Sequence, residues 1–214
     1  MNTNKKRSIH TLQYGGLIIK MKTSKSKSPT EKTHRSPTYA RGMYWPHLET
    51  RVNFAVACIK GGPLAPELNG YVYFWDVPGG VQVMVAVSGL PNYHPAQDNQ
   101  NPIGPHGFHL HEFGDCSVGD PIDPFQAAGG HWNPDSQPHG NHAGDFPVLF
   151  SNKGRAEMSF FTDRFKVMDI IGKSVIIHRN PDDYRTQPAG DAGKRLGCGV
   201  VNLYNGSGRR LPIN

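Results

Sequence analysis

Between residues 115 and 147 the chain loses every hydrophobic period and fills with Gly, Pro, Asp and His. A compact domain rarely carries an unpatterned connection of roughly thirty residues unless that connection is functional or disordered. Its residue types decide between the two. The stretch "GGHWNPDSQPHGNHAGDFP" places His131, His139 and His142 ahead of Asp145. Three imidazoles and one carboxylate form a closed four-ligand set, the number that structural zinc prefers. The intervening Gly and Pro let the backbone wrap around an ion, and binding would order a loop with no other means of staying folded. The chain must therefore supply a rigid frame around a metal.

The residues just before this loop extend the pattern. "GFHLHEFGDC" spans 107–116, and strand side chains alternate faces, so His109 and His111 share one surface while Phe108 and Leu110 face a core. An isolated H-x-H is more often a polar strand face than an ion grip; the neighbouring loop reverses that balance. His178 ends the apolar run "SVIIH" and alone would read as an ordinary strand end. Together His109, His111 and His178 offer three nitrogens from two strands, an incomplete set that His131 can complete. Four imidazoles in a roughly planar array suit Cu(II), whereas the His139, His142, Asp145 and His131 set suits zinc. Service in both sets would make His131 a deprotonated bridge between two metals.

The frame reads as all-β. Strand-like runs occur at 51–59, 71–77, 81–90, 107–114, on both sides of a turn in "VLFSNKGRAEMSFFT" (148–162), at 169–179 and at 198–204. Apart from a possible turn near 163–168, no segment has helical periodicity. Gly and Pro, 25 and 18 of the 214 residues, punctuate these runs as in short strands joined by ordered loops. A sandwich or flattened barrel follows. No run of 18 or more apolar residues exists, so no membrane-spanning helix is expected. "GGLIIKM" is too short for a signal-peptide core and has no cleavage site after it, which reads as cytoplasmic.

The net charge of +6 is unevenly placed. Residues 1–41 hold ten Lys or Arg against the single acid Glu31, while the remainder holds thirteen against sixteen. The expected organisation is a basic, disordered tail over 1–48 and one domain over 49–214. The tail is too polar to fold alone, and a weak attraction to nucleic acid, anionic lipid or cell-wall polymer is its functional alternative. The folded part is mildly acidic with no basic stripe, so no nucleic acid is expected there.

"GFHLHEFGDC", "AGGHWNP", "HAGD", "SVIIH" and "GDAGKRLGCGVV", in this order and spacing, resemble the copper/zinc superoxide dismutase family over roughly residues 51–205. The resemblance implies an eight-stranded, immunoglobulin-like Greek-key barrel with long metal-binding and active-site loops. It implies copper on His109, His111, His131 and His178, and zinc on His131, His139, His142 and Asp145. Cys116 and Cys198 match the family's disulfide, which would stabilise the fold by roughly 4 kcal/mol on a loop-entropy argument. Cys58 is left over and expected to be a small buried hydrophobe. Asp182 matches the carboxylate linking a copper-ligating and a zinc-ligating histidine, with Asp183 as the competing candidate. Arg195 matches the active-site arginine, a fixed cation that attracts and orients a small anion.

The activity so implied is dismutation of superoxide, with copper cycling between Cu(II) and Cu(I) and His131 accepting and donating a proton. A non-catalytic copper/zinc buffering or delivery protein of the same fold would use the same ligands. A cupin-type oxygenase also uses H-x-H, but gives no reason for the cluster from His131 to Asp145. The short segment "RNPDDYRTQPAGD", with Arg179 and Arg185, departs from animal members, looks more like bacterial ones, and implies a different arrangement of substrate guidance. Many bacterial members are extracytoplasmic, as the disulfide would favour. Dimer surfaces vary within the family, so a homodimer is left open.

Overall fold

The computed structural model describes Thr11–Tyr14, Leu17–Lys20 and residues 53–204. The chain divides into two compact units, Met1–Leu48 and Glu49–Asn214. In the first, strands β1 (Thr11–Tyr14) and β2 (Leu17–Lys20) pair antiparallel, Thr11 opposite Lys20 and Tyr14 opposite Leu17. This hairpin stands where the sequence reading expects no ordered element. The rest of the expected tail lies outside the described residues.

In the second unit seven strands form one antiparallel sheet: β3 (Phe54–Gly61), β4 (Asn69–Val77), β5 (Gly80–Ser88), β6 (Phe108–His111), β7 (Arg155–Thr162), β8 (Ser174–His178) and β9 (Arg195–Leu203). Their order is β6-β8-β9-β3-β4-β5-β7. The meander β3-β4-β5 is therefore followed by a jump to the far edge, the crossover of a Greek key. Period-2 patterning accounts for the core. Val81, Val83, Val85 and Val87 of β5 all point inward and are buried, as are Ala55, Ala57 and Ile59 of β3.

Two sequence expectations fail here. Cys58 lies between the inward Ala57 and Ile59, so it points outward and is exposed, not buried. The eighth strand, expected near 148–152, is reduced to the bridges His106 to Leu149 and Asn152 to Arg155. Val148 N–H donates to the Tyr184 hydroxyl at 2.9 Å instead of to a neighbouring strand, and the segment runs from the β6 edge into the turn before β7 without regular pairing. The expected turn near 163–168 is a short 3-10 turn at Val167–Ile170.

All four residues of β6 and all five of β8 are buried, so both faces of this edge are covered. Phe108, Leu110, Val175 and Ile177 belong to the main core, while His109 and His111 face the other way. The 115–147 segment pairs along the free edge of β6: Trp132 N–H donates to Leu110 O at 2.8 Å, and Leu110 N–H donates to Gly144 O at 2.9 Å.

Candidate metal centre

The outward partners of the histidines fix which ring nitrogen is free. His111 Nδ1 donates to Gly129 O at 3.0 Å and His178 Nδ1 donates to Gly193 O at 3.1 Å. A carbonyl only accepts, so each proton sits on Nδ1 and each lone pair on Nε2. Those two Nε2 atoms face one another at 3.4 Å. Two lone pairs so close call for a cation between them. His109 Nε2 donates to Asp182 Oδ2 at 2.7 Å, which leaves its buried Nδ1 without a hydrogen-bond partner. His131 Nε2 is buried and unpartnered as well. One ligand nitrogen from each of His109, His111, His131 and His178 lies within 4.8 Å of the other three.

The other nitrogen of His131 turns to the second cluster. His131 Nδ1 lies 2.9 Å from Asp145 Oδ1, and His142 Nδ1 lies 3.3 Å from the same oxygen. His139 Nδ1 is 3.3 Å from Asp145 Oδ2. Asp145 is itself held by the N–H groups of Gly140 and His142, at 2.8 and 3.0 Å from Oδ2. The ligand atoms of His131, His139, His142 and Asp145 again lie within 4.8 Å of one another. Asp182 spans the two clusters: it accepts from His109 at Oδ2 and from His139 Nε2 at Oδ1, 2.9 Å away. Asp183, its neighbour, is exposed and accepts from Arg185 N–H and Thr186 N–H in a local turn.

The electrostatics match an ion's requirements. Burial first, then the neighbouring imidazoles, push His109 and His111 well below the usual histidine range. Burial lowers His178 to about 3, and lowers His142 too. These rings are neutral at neutral pH, the form that binds a cation. Burial opposes ionisation of Asp145, but the His131 hydrogen bond and the facing histidines outweigh it and hold the carboxyl at about 2. Unpartnered buried nitrogens, neutral rings and one carboxylate fit a four-nitrogen ion beside an N3O ion.

A cation borders the first cluster. Arg195 stands opposite His178 in the β8–β9 pairing, at a register shift. Its Nη1 donates to Phe125 O and its Nη2 to Gly129 O at 2.7 Å. These carbonyls flank a 3-10 turn, Gln126–Ala128, which rests on the disulfide. Cys116 and Cys198 are bonded, with Cα atoms 5.6 Å apart, and Phe125, Ala128, Ile176 and Cys198 pack as one small buried cluster. Gly129 has φ +75°, and a Cβ there would come within 2.7 Å of the Phe113 ring, so only glycine fits.

All eleven residues singled out from the sequence meet here in one assembly. Sequence reasoning missed three supports. His106 is fully buried and donates Nδ1 to His178 O at 2.9 Å; a third histidine three residues before His109 was its only signal. Gln187 and Arg164 hold the backbone of His139 and His142. Their contacts span 48 and 22 residues, and no local pattern announces them.

Comparison with known proteins gives the same picture. The family model described as copper/zinc superoxide dismutase (SODC) matches residues 68–201. A superoxide dismutase [Cu-Zn] of Deinococcus radiodurans is 35% identical over 156 residues, covering 65% of this chain and 80% of that protein. One from Legionella pneumophila is 35% identical over 144 residues, covering 64% and 79%. Superoxide dismutase [Cu-Zn] 3 of Arabidopsis thaliana is 30% identical over 175 residues, covering 73% and 94%. With a curled Greek-key sheet, a histidine shared by two ligand clusters and a family match over most of its length, the chain belongs to the copper/zinc superoxide dismutase family.

Proposed function

We propose that this chain dismutes superoxide, two superoxide anions and two protons giving O2 and H2O2, with copper and zinc as its cofactors. The observation that carries the reading is His131, whose two ring nitrogens face two different ligand clusters. His109, His111, His131 and His178 would hold copper, which would supply reversible one-electron transfer, and His131, His139, His142 and Asp145 would hold zinc, which would supply a fixed positive charge.

The chain's own groups do the rest. Arg195 is pinned by two carbonyls and presents a permanent positive charge beside His111 and His178, so a small anion is drawn to that side. His131 Nε2 can take up and return a proton while Nδ1 stays oriented by the second cluster. Asp182 holds His109 and His139 in the orientation that keeps their Nδ1 atoms inward. The outward face of β3 and β4 stacks Phe54 on Trp75 and Tyr71 on Tyr73, and this aromatic face supports a homodimer as the assembly.

The direct test measures copper and zinc per chain, then superoxide consumption before and after chelation. A protein that holds both metals yet leaves superoxide decay unchanged would overturn the proposal. Sedimentation of the metal-loaded protein tests the dimer.

A further inference from the structure

Two side chains that face neither ligand cluster grip the turn carrying His139 and His142. Gln187 uses both ends of one amide on the His139 backbone: Oε1 accepts from its N–H at 2.9 Å and Nε2 donates to its carbonyl at 3.3 Å. Arg164, in the connection from β7 to β8, donates Nη1 to the His142 carbonyl at 2.7 Å and Nη2 to Asn141 Oδ1 at 3.3 Å. The turn between these anchors includes Gly140 at φ +91°, where a Cβ would come within 2.3 Å of the Tyr184 carbonyl. Side chains from two different connections thus hold both ends of a four-residue turn. Within it, the Gly140 and His142 N–H groups point at Asp145 Oδ2.

Resting on the zinc assignment proposed above, we propose that Gln187 and Arg164 are positioning residues of the zinc half. They hold the 139–142 turn so that Nδ1 of His139 and Nδ1 of His142 face Asp145 together, and thereby set how slowly zinc leaves. Contacts of this kind, one step removed from a metal, typically change its affinity by about 10- to 100-fold. Gln187 acts on two backbone groups and Arg164 on one, so each contributes separately and their loss should compound.

The test uses the full chain loaded with copper and zinc. Zinc release to a chromogenic chelator is followed for wild type, Gln187→Ala, Arg164→Ala and the double variant, with Gln187→Glu and Arg164→Lys as partial restorations. We expect about tenfold faster release in each alanine variant and a further increase in the double variant. Glu keeps an acceptor for His139 N–H and Lys keeps one donor for His142 O, so both should fall between alanine and wild type. The Cu(II) electron paramagnetic resonance signal should stay that of wild type, which a general loosening of the fold would not allow. Release within about twofold of wild type in both alanine variants, from protein with normal zinc content, would overturn this inference while leaving the zinc assignment intact. A wild-type chain that takes up no zinc would overturn both.

Discussion

Arg195 and His111 donate to the same oxygen, the Gly129 carbonyl, at 2.7 and 3.0 Å. A fixed cation and an imidazole of the first cluster are thereby set by one backbone atom. Arg195→Ala removes the charge and leaves His111 its acceptor. The superoxide rate constant should fall by about tenfold and lose most of its dependence on ionic strength, with copper content unchanged. Arg195→Lys keeps the charge but not the two-carbonyl fork, and should lie between. A metal-buffering protein would be indifferent to both changes.

His109→Ala removes one nitrogen from the first cluster and none from the second. Dismutase activity should disappear while zinc per chain and the far-ultraviolet circular dichroism spectrum stay at wild-type values. Unchanged activity in this variant would count directly against the copper assignment.

Asp182→Asn tests the shared carboxylate. The carboxylate accepts from His109 and His139 together. An amide offers one acceptor and turns its NH2 toward the other ring's N–H, so one histidine loses its orientation. Affinity for at least one metal should drop by about 10- to 100-fold in chelator competition. The neighbouring Asp183→Asn should change metal affinity little, because that side chain serves a local exposed turn.

The metal-free protein should be acid-labile in a definite direction. His178, lowered from 6.5 to about 3, and His109, His111 and His142, also lowered, stay neutral in the fold while the unfolded chain takes up protons. The unfolded state binds more protons in that window, so stability is lost as pH falls from 6.5 toward about 3. Asp145 adds a further loss as pH falls from 3.8 toward about 2. Scanning calorimetry of chelated protein should show a melting temperature that declines steadily on acidification. A flat profile across that window would contradict the burial of these rings.

Replacing Cys116 and Cys198 together by serine opens a closure of 82 residues, which should cost about 4 kcal/mol of stability in denaturant titration. It should also lower activity beyond what metal content explains, because Phe125 and Ala128, packed on Cys198, carry the turn whose flanking carbonyls hold Arg195.

The legible parts of this chain are those written in local periods. The alternation of Val81, Val83, Val85 and Val87 gives β5, and the parity of His109 and His111 gives a shared ligand face. The metal loop is legible because four ligand-type residues crowd fifteen positions. Small size alone suggests burial for Cys58, whereas parity within β3 points it outward between Ala57 and Ile59. β-type residues alone suggest a strand at 148–152, whereas Val148 N–H goes to the Tyr184 hydroxyl and only isolated bridges form at Leu149 and Asn152. Residues 182 and 183 could not be separated by type, since both are aspartate; burial and a two-histidine contact separate them. Gln187 and Arg164 are ordinary polar residues until distant connections meet the metal loop.

Under the proposed metal assignment, the single carboxylate of residue 182, which accepts from His109 and His139 together, would link the loading of the two metals. An ion settling on His109 or His139 stiffens a ring whose hydrogen bond ends on that carboxylate, and so prepares the ring on the other side. Whatever factor the first metal adds to the affinity of the second, the second must return to the first.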